Sequence, residues 1–487
     1  MENKLVLERG EKVQKLRALG IDPYPYSFQK YTYSTVLLEK YKHLKNGEKM
    51  RNIVSIMGRL MTVRDMGKAA FGHVQDQEGQ IQIYIREEDV KKKTFEAYRL
   101  LDMGDIVGVT GSVFKTKTGE VTVHVKDLVV LCKALRPLPE KFHGLQDPEL
   151  RYRQRYVDLI VNPQAKKTFL LRSKIIRAVR EFLDSRGFLE VEIPTLQPLY
   201  GGAEARPFTT HINALNLDLY LSISPELYLK RLIVGGYEKV YTIGKNFRNE
   251  GVDKTHNPEF TMMECYWSGV DYNDMMSLTE DLYLFVCKQV LGTTEVQYQG
   301  TMLSFKKPWK RVTMAQALKR IVDIDVEACT DAKLYALLDR HKVECDRKRM
   351  TRGLAIAVLF EALCESKLVQ PTFVTDYPRE TSPLCKLKRG NPALIERFEP
   401  YIFGWEVGNA YSELTDPVLQ KQFLVEQAER GGEGAQQLDL DFVRAVEYGM
   451  PPTGGLGLGI DRMVMLLTDA PSIREVILFP TMRPESV

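Results

Sequence analysis

The chain lacks the spacings that organise metals or disulfides. Its cysteines, at 132, 265, 287, 329, 345, 364 and 385, are odd in number and none forms a C-x-x-C pair. Neither a zinc site nor a disulfide framework is indicated, and reduced thiols in a reducing compartment are expected. The chain also lacks an apolar run near the roughly 20 residues that cross a bilayer. Its opening, MENKLVLERGEKVQKLRALG, alternates charged with apolar residues and has no continuous apolar stretch of the secretory type. A cytoplasmic location with no membrane segment is expected. The pattern G-x-x-x-x-G-K-[ST] is missing too, which excludes a P-loop enzyme but not the use of ATP. Net charge is only +4, too little over this length to argue for nucleic acid by itself.

What is present is an ordinary enzyme composition, 44% hydrophobic and 27% charged over 487 residues, enough for two or three domains with separate cores. Charge is uneven. Between Lys133 and Arg180, twelve Lys and Arg stand against four Asp and Glu, which suits a surface facing phosphates. Residues 1–50 read as a helical leader with Leu5, Leu7, Val13, Leu16 and Leu19 in a loose stripe, interrupted by Pro23 and Pro25. From Ile53 the period changes to two. Strands are expected at Ile53–Arg64, Ala69–Gln75, Ile81–Ile85, Asp105–Phe114 and Glu120–Val130, with a helix at Glu87–Leu101. Five short strands with a helix after the third predict an OB-fold barrel over 51–133, a fold that commonly binds single-stranded nucleic acid. A linker follows at 134–150, stiffened by Pro137 and Pro139. The remainder, 151–487, opens with an amphipathic helix carrying Leu171, Ile175, Ile176, Val179, Phe182 and Leu183 and closed by Gly187. A strand at Leu189–Ile193 stops at Pro194. A largely helical insertion is expected at about 313–385, opening with a capping box of Thr313 and Gln316.

The most informative stretch is KVYTIGKNFRNEGVDKTHNPEFTMMECYW, residues 239–267. Two strand-like runs flank a polar loop from Gly251 to Pro258. Alternation in the second run puts Phe260, Met262, Glu264 and Tyr266 on one face. A ring, a carboxylate and a phenol side by side are not an ordinary core face, and a buried Glu264 would need a cation opposite it. Arg248, ending the first run, carries the planar fork suited to a phosphate.

With its flanks this hairpin resembles motif 2 of the class II aminoacyl-tRNA synthetases. GGLGLGIDRMVM, residues 454–465, resembles their motif 3, and the helix–strand–proline unit ending in SRGFLEVEIPTL resembles their dimer-forming motif 1. Three motifs in the right order form a specific signal. GGAEARPF, SPELYLKRL and VGNAYSELTDP resemble the lysine-specific branch of that family. The likeness covers most of 150–487 and, with the barrel, nearly the whole chain. It implies an α+β fold, an N-terminal OB-fold β-barrel plus a class II catalytic domain built on an antiparallel sheet with flanking helices. It implies a ligase that uses ATP and Mg²⁺ to join L-lysine to tRNA(Lys), working as a homodimer through about 170–194.

The same resemblance assigns roles. Arg248 would bind the α-phosphate and the amino-acid carboxylate. Glu250 and His256 would hold the adenine and phosphate ends of ATP, with Asn257 close by, and Phe260 and Arg462 would sandwich the adenine. Gly202 and Glu226 would meet the α-ammonium of lysine. Glu413 and Tyr266 would meet its ε-ammonium, with Glu264 beside them. Asn409 would assist the carboxylate, and Tyr411 and Gly457 would line the cavity. Glu399 and Glu406 would hold Mg²⁺, although seven residues apart on one straight strand they would face opposite ways, so a turn or bulge near Gly404 is needed. In the barrel, Phe71, Gln82 and Glu120, with Arg64 nearby, would read the U-rich anticodon, and the basic linker region would touch the tRNA backbone. Enzymes for aspartate and asparagine share this architecture but have no use for grouped carboxylates at the side-chain end. A paralogue that lysylates a protein would share the catalytic half and lack the barrel.

Overall fold

The computed structural model describes residues 2–28, 31–139, 145–431 and 438–484. The chain divides into two compact units, Met1–Gln146 and Asp147–Val487. Residues 140–144 of the expected linker lie outside the described residues.

The first unit is built on five strands: β1 (Lys49–Asp65), β2 (Ala69–Gln75), β3 (Gln80–Arg86), β4 (Ile106–Lys115) and β5 (Val121–Cys132). They close into a barrel in the order β1-β2-β3-β5-β4. The alternation in β3 explains the packing: Ile81, Ile83 and Ile85 point into the barrel, while Gln82 and Tyr84 do not. The helix between β3 and β4 is shorter than expected, Lys92–Arg99, because Glu87–Asp89 forms a separate tight turn. From the leader, Leu16 of the helix Glu2–Ala18 and Leu37 and Tyr41 of the helix Ser34–Tyr41 join the barrel core.

The second unit is centred on a mixed, mainly antiparallel sheet. Its strands are β6 (Leu189–Glu190), β7 (Lys239–Phe247), β8 (Glu259–Ser268), β9 (Lys310–Thr313), β10 (Thr372–Pro378), β11 (Asn391–Ile402), β12 (Trp405–Glu406), β13 (Gly408–Ser412) and β14 (Thr453–Gly459). The main path runs β9-β10-β11-β13-β14-β8-β7-β6, and β12 pairs back onto β11. The long helix Pro163–Ser185 starts where Asn162 accepts a bond from the Gln164 amide and Pro163 takes the first helical position. It buries Ile175, Val179, Phe182 and Leu183 in the core of this unit. Leu171 and Ile176 are only half-buried.

Three sequence expectations change. Helices fill the expected insertion only at Met314–Val322, Asp331–Arg340 and Arg352–Leu363. The TFVTDYP stretch, Thr372–Pro378, is instead a strand of the main sheet, as its β-branched and aromatic residues favour. The strand expected at Leu189–Ile193 is two residues long. The basic stretch 133–180 is not mainly a phosphate-facing surface, because many of its cations are spent internally. Lys133 is buried against Asp102 and Asp105 and Arg155 against Asp158; Arg172 pairs with Asp461, and Arg151 with Asp158 and Glu475.

Candidate active site

The repeat GGLGLG shows how the sheet makes room. In β14 the leucines Leu456 and Leu458 enter the core, so Gly455, Gly457 and Gly459 present bare backbone to the other face. Register sets side chains of β8 beside each bare position: Tyr266 beside Gly455, Glu264 beside Gly457, Met262 beside Gly459. Their other neighbour is β13, which brings Asn409 opposite Gly457 and Tyr411 opposite Gly455. A Cβ at Gly455 would meet Glu413 Oε1 at 2.0 Å and Tyr266 at 2.7 Å. The glycine floor is therefore a demand of the side chains lying across it.

Above this floor opens a cavity of about 530 Å³. Its walls bring together Gly202, Glu226, Arg248, Glu250, His256, Asn257, Phe260, Glu264, Tyr266, Glu399, Glu406, Asn409, Tyr411, Gly457 and Arg462 from segments far apart in sequence. Glu413 is the exception among the residues expected to bind lysine: its carboxylate packs against Gly455 and does not line the cavity.

At the closed end, Glu226, Glu264 and Glu413 converge, and all three are buried. Glu264 accepts from Ser224 Oγ at 2.9 Å and from the Tyr266 hydroxyl at 3.0 Å. Burial, with Glu226 nearby, pushes its carboxyl up to about 8. Glu413 is 1% exposed. Apart from an ion pair to Lys230 at 2.5 Å, its oxygens have no hydrogen-bond partner among the described residues. Burial raises its pKa well above the carboxylate range, against the opposing pull of Lys230. A buried carboxylate with open acceptor sites is costly unless a donor arrives.

At the other end sit arginines. Arg248 stacks over the Phe260 ring at 5.1 Å, and burial lowers its pKa against the pull of Glu406, Glu250 and Glu264. Arg462 donates to the Glu406 carbonyl and approaches His256 Nε2 at 3.1 Å. Asn257 lines the cavity, but its amide is tied to the backbone at Glu259 and Thr481.

Glu399 and Glu406 do reach one face. Phe403 (φ +54°) and Gly404 (φ +76°) form a two-residue turn of the kind that favours positive φ at both positions. The turn pairs Tyr401 with Glu406, and Glu399 lies two residues from Tyr401. Around them sequence reasoning missed Arg397, which donates to Asn409 at 2.9 Å and to Glu399 at 2.5 Å. Burial would lower the Arg397 pKa, but Glu399, Cys385, Tyr377 and Glu406 together outweigh it and the net shift is upward. Glu361 and Glu365 also line this end, and each is pushed up to about 7, by burial first and by neighbouring carboxylates, while Arg397 pulls Glu361 down and Tyr401 pulls Glu365 down. Lys230 was missed as well, though its position four residues after Glu226 on a helix was a readable signal.

Asp461, the third missed residue, joins the three motif-like segments. It accepts from the Thr261 amide at 2.6 Å and pairs with Arg172 of the long helix at 2.5 Å. Arg172 also donates to Thr261 Oγ1 at 3.0 Å.

The barrel carries a different surface. Register places Arg64 opposite Phe71, Phe71 opposite Tyr84, and Gln82 opposite Thr122. Phe71 and Tyr84 have ring centroids 4.7 Å apart. Glu120 accepts from Gln82 at 2.6 Å and meets His73 at 2.9 Å. The four expected residues thus share one face, and His73, missed in the sequence, completes its polar network.

Comparison with known proteins adds the lineage. The family model described as "tRNA synthetases class II (D, K and N)" matches residues 147–483, and "OB-fold nucleic acid binding domain" matches 54–131. The chain is similar to proteins named lysine–tRNA ligase. It is 53% identical to that of Clostridium novyi (strain NT), over 99% of this chain and 95% of the relative. It is 52% identical to that of Thermoanaerobacter sp. (strain X514), over 99% and 97%. It is 51% identical to that of Clostridium botulinum (strain Hall), over 99% and 96%.

Proposed function

Because the chain belongs to the class II tRNA synthetases of the D, K and N group, we propose that it works as a lysine–tRNA ligase. It activates L-lysine with ATP and passes the lysyl group to the 3′ end of tRNA(Lys). The observation that carries this reading is the closed end of the cavity, where Glu226 and Glu264 line the space, Glu413 lies buried beside them, and Glu413 Oε1 has no hydrogen-bond partner among the described residues. Aspartate would be repelled there; an ammonium is what such a corner stabilises.

The chemistry is two displacements. An oxygen of the lysine carboxylate attacks the α-phosphorus of ATP, and the bond to the β-phosphoryl oxygen breaks to release pyrophosphate. The terminal tRNA hydroxyl then attacks the lysyl carbonyl, and AMP leaves. The chain's task in the first step is alignment and charge neutralisation, with no general base required. Arg248 bridges the α-phosphate and the lysine carboxylate. Phe260 offers a ring for adenine, and Arg462 swings from Glu406 to cover its other face. Glu226, Glu264, Glu413 and Tyr266 orient the two ammonium groups.

Glu399 and Glu406 would hold Mg²⁺. Their oxygens suit a hard cation, and the mutual repulsion in this acidic end is what a divalent ion relieves. Among the described residues no group of three or more His, Cys, Asp or Glu is arranged to hold a metal ion, so phosphate oxygens would complete the shell, the usual habit of Mg²⁺. When bound, the ion would neutralise charge on the leaving pyrophosphate.

The barrel face with Phe71, Gln82, Glu120 and Arg64 reads the anticodon, the aromatic pair stacking bases and the amides and carboxylates selecting their edges. Leu170 and Leu189 are exposed apolar side chains on the long helix and the strand that follows it, which supports a homodimer through about 170–194. Among the described residues no helix is long and apolar enough to cross a membrane, and the seven cysteines are free thiols, which supports a cytoplasmic site of action. ATP–pyrophosphate exchange with each amino acid in turn tests the whole reading. Strong exchange with lysine is expected; exchange with aspartate alone, or with none, ends it.

A further inference from the structure

Lys230 is 1% exposed, yet it does not line the cavity. It lies one helical turn after Glu226 on the helix Glu226–Val234. Its ammonium sits 2.5 Å from Glu226 Oε1 and 2.5 Å from Glu413 Oε2, and it lies 5.3 Å from the Tyr411 ring centre. The division of oxygens is uneven. Lys230 and the Tyr411 hydroxyl both take Oε1 of Glu226. Of Glu413, Lys230 takes Oε2 and leaves Oε1 beside the bare backbone of Gly455. Burial would lower the lysine's pKa, but Glu226 and Glu413 outweigh it, so it stays charged.

We propose that Lys230 is a specificity-determining positioning residue. Clamped between Glu226 and Glu413, its ammonium cross-links the two carboxylates and fixes how much negative charge, and how much depth, remains for the substrate's own ammonium. The inference rests on the reading of this cavity as a lysine site. The physical reason is charge balance. Glu226, Glu264 and Glu413 share one desolvated corner with the phenols of Tyr266 and Tyr411 and the thiol of Cys385. Three carboxylates so close cannot all stay ionised without a resident cation, and a protonated one would no longer attract an ammonium. Lys230 pairs with two of them, draws the Glu413 pKa down against burial, and holds that carboxylate so that its Oε1 remains without a partner for the substrate.

The test uses the full-length protein and ATP–pyrophosphate exchange. With Lys230→Met, KM for lysine should rise by more than about tenfold while KM for ATP stays within about twofold. The acid limb of kcat/KM for lysine should move to higher pH, since Glu413 without Lys230 holds its proton more tightly. In a Glu413→Gln background the same substitution should have a much smaller effect. That double variant removes one charge of each sign, so it remains testable if Lys230→Met alone does not fold. An unchanged KM for lysine, a joint rise for lysine and ATP with an unmoved acid limb, or additive losses in the double variant would each overturn the proposal. Absence of lysine-dependent exchange in the unmodified protein would instead overturn the lysine reading, and this inference with it.

Discussion

In the cavity, Glu264 is 5% exposed and bonded to Ser224 and Tyr266. On the barrel face, the side chain of Glu120 is 45% exposed and bonded to His73 and Gln82. Both carboxylates sit in hydrogen-bonded networks next to aromatic rings, yet they work under different physics. In the dry corner the attraction between charges is weakly screened, and an unpaired ion is costly. On the wet face a charge is worth little by itself, and recognition falls to stacking and to bonds that water can also make. Selection of a small cation and selection of a nucleic-acid strand thus need different depths, not different residue types.

The sharpest way to break this contrast is Glu413→Gln. The buried ammonium would lose a charged partner, so kcat/KM for lysine in pyrophosphate exchange should fall roughly hundredfold. A normal lysine response would place the ε-ammonium elsewhere. Gly455→Ala comes next. Its Cβ would start 2.0 Å from Glu413 Oε1, so that carboxylate or Tyr266 must move, and lysine use should drop by more than about tenfold with ATP affinity little changed. Equal losses for both substrates would mean that the strand itself had been disrupted. On the barrel, Phe71→Ala should cost about 1–3 kcal/mol of tRNA binding, read as a fall in aminoacylation with pyrophosphate exchange intact. If both activities dropped together, the two recognition surfaces would not be separable.

The smallest effect concerns a proton. With a pKa raised to about 8, Glu264 is mainly protonated in the free protein at neutral pH. Its contribution to stability is therefore full below its ordinary value of 4.5 and lost as pH rises through about 8. An arriving ammonium favours the ionised form, so lysine binding at pH 7 should release up to about one proton. Calorimetry in buffers of different ionisation enthalpy measures this, and Glu264→Gln should reduce it. Lack of proton release would mean that Glu264 is already ionised. On the barrel face, tRNA binding should respond to salt instead.

The parts of the site legible in the sequence were those encoded locally. Alternation alone set Phe260, Met262, Glu264 and Tyr266 on one face, and the register of β8 against the glycines bears that out. The awkward spacing of Glu399 and Glu406 pointed to a turn near Gly404, and the chain turns at Phe403–Gly404. What could not be read was long-range. Arg397 becomes part of the site only when β11 lies beside β13, and Lys230 matters only because Glu413 folds down onto it. The strand Thr372–Pro378 was absorbed into a helical stretch because a short apolar run beside helices gives no period of its own. The basic stretch misled for a related reason: a count of charges cannot say which cations face inward.

Asp461 and Thr261 are chain neighbours of Arg462 and Phe260, and both are fastened to Arg172 on the long helix. A nucleotide held by Arg462 and Phe260, as proposed, would be braced against that helix through Arg172. Occupying the ATP end should slow amide exchange along Pro163–Ser185, and anything seated on the leucines flanking that helix should tighten nucleotide affinity by the same factor. The joint makes distant surfaces answerable to each other without any moving lid.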